Sequence, residues 1–410
     1  MTTELRVLRP SEWNEWFRCL ELAFGGVPEA PEQRALDESL TEHERSVGIW
    51  DGGDVVATSG AFSFRVAVPG GALVPAAGVT MVSVAATHRR RGLLTAMMRR
   101  QLDDVRALGE PIAVLTASEP AIYGRFGYGA ATRQMSLSID TDRVRLTVPD
   151  GTDEVGLRYA RPDEAVAACE SVYARLVPGR PGTPAHGPGW ERKSLTDSSG
   201  GRQTASALQC VLAERDGEVV GYTTYHNHPD WDESGPKGRI AVNDLAALDP
   251  AAYAALWRFL FGIDLTSTVE ARNRPVDDAV LHMVSDVRRC GIRLRDSLYV
   301  RLVDLGAALE ARTYRAPVDV VFEVADAFCP WNAGRWRLTA DAKGGASCKR
   351  TDDPADLALS VRELGGAYLG GESLVSLAGA GRVRELRTDA LAEASSAFTS
   401  DVAPWLPRGF

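Results

Sequence analysis

The stretch from Val79 to Gly129 most limits what this chain can fold into. Met81 to Val84 is a short apolar, β-branched run with the composition of a buried strand. Small residues and Thr87 follow, then the basic turn His88-Arg89-Arg90-Arg91-Gly92. Leu93, Leu94, Met97, Met98, Leu102, Val105 and Leu108 recur at helical spacing, and Gly109 and Pro111 stop the helix. Ile112 to Ala117 is a second apolar run, so the unit reads strand, basic turn, helix, strand.

The chemistry of this unit lies in its turn. The first backbone N–H groups of a helix lack internal partners, and the helix dipole adds partial positive charge there. Gly92 lets the backbone approach an anion closely, and Arg89, Arg90 and Arg91 add full charges. Such a turn cradles a pyrophosphate; the plainer alternative is a solvated basic helix start. A GxxxxGK[ST] pattern is absent and no GxGxxG follows a strand, which sets aside two rival phosphate-binding designs.

Arg89-Arg90-Arg91-Gly92-Leu93-Leu94 resembles the [RQ]xxGx[GA] pyrophosphate turn of the GCN5-related N-acetyltransferases (GNATs), with Leu94 where a small residue is usual. Ser118-Glu119 and Ile122-Tyr123-Gly124-Arg125-Phe126-Gly127-Tyr128-Gly129 follow the second strand. The segments VSVAATHRRRGLL and SEPAIYGRFGYG together resemble the enhanced intracellular survival (Eis) branch of actinobacterial GNATs. The resemblance implies acetyl-CoA as cosubstrate and no metal. By it, Val82, Ser83 and Val84 offer backbone groups to the pantetheine and thioester. Arg90, Arg91, Gly92, Leu93, Leu94 and Thr95 hold the pyrophosphate, and Ser118 and Glu119 line the other side of the CoA arm. Tyr123 becomes the general acid to the leaving thiolate, with Tyr128 as the competing phenol. The resemblance also gives the terminal carboxylate of Phe410 the role of base toward the incoming amine. Two prolines and two aromatics in Pro404-Trp405-Leu406-Pro407-Arg408-Gly409-Phe410 suit an anchored tail rather than a frayed one.

A chain of 410 residues is too long for one ordinary core. Trp13, Trp16, Phe17, Leu20 and Phe24 recur at helical spacing as a core stripe or cleft wall, and Arg34 to Arg45 reads as a charged helix with Asp37, Glu38, Glu42 and Glu44 on a solvated face. Val47 to Ala57 is a hairpin around Asp51-Gly52-Gly53-Asp54, and Phe62 to Val66 is a further strand. Gln134 to Ile139 reads as a strand leaving the first domain, with a boundary near Asp150-Gly151. The plan then restarts: Leu157 to Glu164 mimics Leu5 to Glu12, and the hairpin around Asp216-Gly217 mimics the one around Gly52. Asp249-Pro250 stands where the arginines would be, so this second unit reads as an acetyltransferase repeat without a cofactor turn. Strands at Val318–Val324, Arg335–Leu338 and Leu357–Val361 with a Gly-rich segment at Leu364–Gly371 resemble a sterol-carrier-protein-like domain, read as a structural cap and oligomer surface. The expected fold is α/β (α+β): tandem GNAT-like domains, 1–150 and 151–295, followed by a sterol-carrier-protein-like α+β domain, 296–410.

A net charge of −9 argues against general nucleic-acid affinity, which needs a basic surface. Six cysteines without a CxxC argue against a zinc site or disulfide framework. His226-Asn227-His228-Pro229-Asp230-Trp231-Asp232 has metal-binding residue types, but its spacing fits no standard site and Pro229 suggests a loop. The start lacks an apolar leader and no run approaches a membrane span, so the expected location is cytoplasmic. By resemblance the partners are polyamine-type acceptors such as aminoglycosides, with a link to antibiotic resistance, and further copies of the chain in a homohexamer. The alternatives are a protein lysine or small-amine N-acetyltransferase and a non-catalytic CoA-binding scaffold.

Overall fold

The computed structural model describes residues 3–196, 205–341 and 344–410. Met1 and Thr2 lie outside the described residues. The first sheet has eight strands. It runs Thr3–Val7, Val47–Asp51, Asp54–Ala67, Leu73–Val84, Ile112–Thr116, Leu298–Leu302 and Gly129–Ala130, with Pro184–Ala185 added beside Asp54–Ala67. The hairpin turns through Gly52 at a φ of 64°, a conformation that costs glycine little. What reads as two strands, 55–57 and 62–66, is one continuous strand, Asp54–Ala67.

Helix Trp13–Ala23 buries Trp13, Trp16 and Phe17, and the Trp16 indole N–H donates to the Val47 carbonyl at 2.9 Å. The aromatic stripe is therefore core, except that Phe24 at its end is exposed. The next helix is Pro31–Leu40, shorter than expected, and Asp37 is buried rather than on a solvated face. Asp37 accepts from Gln33 at 3.0 Å and lies 3.8 Å from the Lys193 ammonium. Glu42 is likewise engaged, accepting from the Ser63 N–H at 2.6 Å.

The second sheet runs Arg293–Asp296, Arg133–Asp140, Thr266–Arg274, Gly238–Ala247, Glu218–His228, Gln209–Arg215 and Gly156–Ala160. Two strands have changed places between the sheets. Arg133–Asp140, read from sequence as the strand that leaves the first domain, pairs with Thr266–Arg274 in the second sheet. Leu298–Leu302, from beyond the second unit, fills the matching position in the first sheet, between Ile112–Thr116 and Gly129–Ala130. Sheet pairing thus crosses both positions where sequence reading puts a boundary. His226 and His228 lie in strand Glu218–His228, not in a loop, and no group of three metal-ligating side chains occurs among the described residues.

The third sheet, Ala346–Arg350, Gly334–Ala340, Val318–Ala325, Leu357–Ser360 and Val383–Glu385, carries helices Val361–Ala367, Leu374–Gly379 and Ala390–Phe398. One apolar core joins it to the first sheet, with Phe62, Phe64, Val114 and Val300 in the same cluster as Val320, Phe322 and Leu364. A buried ion pair crosses that junction, Arg301 to Asp326 at 2.7 Å. All six cysteines are free and buried. Among the described residues no helix is long and apolar enough to cross a membrane.

Candidate active site

Strand Leu73–Val84 pairs antiparallel with Asp54–Ala67 along its length. On its other edge it pairs in parallel with Ile112–Thr116 only through Ala76, Ala77 and Gly78. Beyond Gly78 the two strands part, and Met81 takes a positive φ of 52° where the register with the long neighbour shifts. The parted edge leaves the backbone of residues 82–84 outside that parallel ladder, facing a cavity of about 660 Å³.

Val82, Ser83 and Val84 form one wall of this cavity. Arg90, Gly92, Leu93, Leu94 and Thr95 line it at the start of helix Leu93–Ala107, and Ser118, Glu119 and Tyr123 close the opposite side. Arg91, the remaining member of the expected CoA-binding set, is exposed outside the lining, and its guanidinium donates to the Thr87 carbonyl at 3.0 Å. His88, Arg89, Arg125 and Phe24 join the lining. His88 and Arg89 adjoin the motif, but nothing in the local sequence connects Phe24 with it.

The turn suits a pyrophosphate on three counts. Arg90 and Gly92 have positive φ values of 63° and 80°, which fold the backbone tightly ahead of the helix. The Gly92 N-cap supplies no side chain to occupy the first helical N–H groups. Arg89 and Arg90 put positive charge on the same wall. These residues fit the pyrophosphate of acetyl-CoA.

Tyr123 is partly buried, and its phenol is pushed up to about 12, first by desolvation and then by the nearby Glu119 carboxylate. Its ring meets that of Tyr128 edge to face at 6.0 Å. Tyr128 is fully buried, and among the described residues its hydroxyl has no hydrogen-bond partner. Burial raises that phenol still further, and it does not line the cavity. The two phenols differ in access: only Tyr123 reaches the cleft.

Phe410 lies against the splayed strand at Thr80, two positions along it from Val82 of the cleft wall. The Thr80 hydroxyl donates to its carboxyl oxygen at 3.0 Å, and its ring packs edge to face on Phe64 at 4.9 Å. Gly78 makes this approach possible: a Cβ there would come within 2.3 Å of the Phe64 ring and 3.3 Å of the Phe410 ring. The tail is held upstream. Trp405 donates its N–H to the Pro181 carbonyl at 2.8 Å and its indole N–H to Asn273 at 2.9 Å, and Arg408 donates to the Lys193 carbonyl at 3.0 Å.

Two family profiles described as "Acetyltransferase (GNAT) domain" match residues 4–131 and 186–302, and one described as "Sterol carrier protein domain" matches 305–407. An uncharacterized N-acetyltransferase of Streptomyces avermitilis is 70% identical over 410 residues, covering 100% of both chains. The N-acetyltransferase Eis of Mycobacterium bovis is 33% identical over 421 residues, covering 98% of each. This chain belongs to the Eis family of GNAT N-acetyltransferases. The crystal structure of Eis1 from Mycobacterium abscessus agrees, with a TM-score of 0.84 and 32% identity over 100% of both chains. As a member of the Eis family the protein is an acyltransferase, and its fold implies acetyl-CoA as cosubstrate.

The second unit of this Eis-family chain differs where its sequence does. Asp249 caps helix Pro250–Phe261 by accepting from the Ala251 and Ala252 N–H groups, both at 3.0 Å. A carboxylate thereby holds the place that a pyrophosphate would need.

Proposed function

We propose that the enzyme transfers the acetyl group of acetyl-CoA to amines of polyamine-type acceptors such as aminoglycosides, with Tyr123 as general acid and the Phe410 carboxylate as base. The reading rests on the Thr80–Phe410 hydrogen bond, which holds a carboxylate beside the splayed strand whose next residues line the cleft. The amine nitrogen forms a bond to the thioester carbon and loses a proton to that carboxylate, directly or through water. The carbon–sulfur bond breaks, and the Tyr123 phenol supplies the proton that the leaving thiolate takes up. Backbone groups of Val82 to Val84 bind the thioester arm, and the Arg90–Thr95 turn the pyrophosphate.

The energetics of the acid step favour concerted donation. A phenol near 12 and a thiol near 8.5 differ by ~3.5 units, so full transfer in those terms is uphill by about 5 kcal/mol. The burial that lifts the phenol also destabilises a thiolate beside it, which narrows the gap. Tyr123 is fully protonated at neutral pH, as an acid must be.

Near the tail the acidic residues Asp37 and Glu29 stand behind the Lys193 ammonium. Arg408 contacts Lys193, which in turn faces Asp37, and Asp37 acts on Glu29. The Glu29 carboxyl is pushed up to about 7, by desolvation first and then by Asp37. Assembly as a homohexamer in the cytoplasm belongs to the same reading, by kinship with the family. The test is an acceptor panel (an aminoglycoside, a linear polyamine and a lysine peptide) with thiol release and product mass measured together. Acetylated polyamine or aminoglycoside supports the reading; acetylation of the lysine peptide alone replaces it, and thiol release with none removes it. Light scattering decides the assembly.

A further inference from the structure

The second unit retains the opening that makes the cleft of the first. Strands Gly238–Ala247 and Thr266–Arg274 are parallel neighbours, paired through Val242 and Ala271 and parted beyond them. A helix, Pro250–Phe261, follows the first strand, and a short helical turn, Val280–Met283, follows the second. A cavity of about 750 Å³ fills the opening, larger than the cleft of the catalytic unit.

Its chemistry is inverted relative to that cleft. The helix start is self-capped by Asp249 and begins with Pro250, which has no N–H, so a phosphate finds no donors there. The two guanidiniums on the wall are already paired, Arg180 with Asp277 at 2.8 Å and Arg274 with Asp278 at 2.7 Å. Asp244 is different. Asp244 lines the cavity and its carboxylate accepts from the Tyr222 hydroxyl at 3.1 Å, while the lining guanidiniums pair with Asp277 and Asp278 instead. Around it the surface is largely apolar, from Leu176, Met283, Trp405 and Pro407.

We propose that this vestigial cofactor cleft is a second ligand site, and that it takes an amine with an apolar, preferably aromatic, body. The ammonium pairs with Asp244, and the body lies against Leu176, Met283 and the Trp405 ring. Trp405 and Pro407 belong to the tail that ends at Phe410, so the occupant shares a wall with the segment leading into the catalytic unit. The site does not depend on how the acetyl acceptor is read.

The probe is N,N-dimethyl-2-(2-naphthyl)ethylamine, a tertiary amine that cannot be acetylated, with 2-(2-naphthyl)ethanol as its neutral counterpart. Binding to the full chain is measured by calorimetry in saturating CoA. The amine is expected to bind at least about tenfold more tightly than the alcohol, the scale of one desolvated charge pair. Asp244→Asn should erase that preference while leaving the alcohol unchanged. Ala279→Trp, at an exposed position on the cavity rim, should block both ligands. CoA affinity measured on both variants separates a lost site from a misfolded chain. Equal binding of amine and alcohol, or amine binding that survives Ala279→Trp in a folded chain, overturns the proposal.

Discussion

Thr80 donates its hydroxyl to the carboxyl oxygen of Phe410 across 3.0 Å, joining a strand early in the chain to a residue 330 positions later. Extending the chain by a few residues beyond Phe410 replaces that carboxylate with an amide. Acetyl-CoA affinity is expected to hold within about twofold, while turnover falls by on the order of a hundredfold or more. Thr80→Val should give a milder loss of turnover. Full turnover in the extended chain would falsify the base assignment.

Gly92→Asp places a carboxylate and a Cβ at a left-handed position facing the expected pyrophosphate. Arg90→Glu reverses a charge on the same wall. Each should weaken acetyl-CoA binding at least about tenfold by calorimetry. Arg91→Glu, whose side chain lies outside the lining, should weaken it far less. An equal loss at Arg91 would contradict the geometry.

Tyr123→Phe keeps the ring and its contact with Tyr128 but removes the proton. Turnover should fall by roughly a hundredfold with acetyl-CoA affinity nearly unchanged. Tyr128→Phe removes a hydroxyl without a partner in a fully buried site, so both turnover and stability should hold. The reverse pattern would exchange the two roles.

Glu29 links pH to stability. Its folded pKa of about 7 lies above the ordinary 4.5, so between those values the folded chain binds more protons than the unfolded one. Stability from this group is therefore present below about pH 4.5 and lost as pH rises toward 7. Glu29→Gln should raise the melting temperature slightly relative to the parent at pH 8 and not at pH 4.5, the gain kept small by solvent around this exposed residue. An equal difference at both pH values would show that Glu29 titrates normally.

Arg301 and Asp326 are both essentially without solvent exposure. Arg301→Met leaves a buried carboxylate short of its cation, and should cost about 3–5 kcal/mol in urea unfolding. Asp326 retains donations from the Cys329 N–H and the Asn332 amide, which favour the lower end. Adding Asp326→Leu should recover part of the loss; no recovery would mean that packing, not charge, sets the cost.

The local chemistry of the first unit was legible because it is written in consecutive residues. The turn from Arg89 to Thr95 and the segment from Ser118 to Tyr123 each announce their shape through glycine, proline and charge. Partners distant in sequence were not. Amphipathic alternation makes 133–140 a strand without saying which sheet it joins. Asp37 reads as solvated on its own helix because the Lys193 that faces it comes from the second unit. Phe24 reaches the cleft from the end of a helix whose other aromatics are core, and nothing in its own neighbourhood distinguishes it. His226 and His228 read as loop residues because Pro229 follows, yet a proline just past a strand ends it without unmaking it.

The exchanged strands set a timetable for synthesis. When the ribosome has finished the turn containing Tyr123, the first sheet still has a gap beside Ile112–Thr116, and only Leu298–Leu302 fills it. At roughly 5–20 residues per second, that filler arrives on the order of ten seconds after Gly129–Ala130 has emerged. Throughout that interval Ile112 to Leu115 present an apolar strand edge to whatever is nearby, while Arg133–Asp140 waits for Thr266–Arg274. The first sheet is thus completed only after the second unit has been made, and a fragment ending before Leu298 lacks the strand that pairs with Ile112–Thr116.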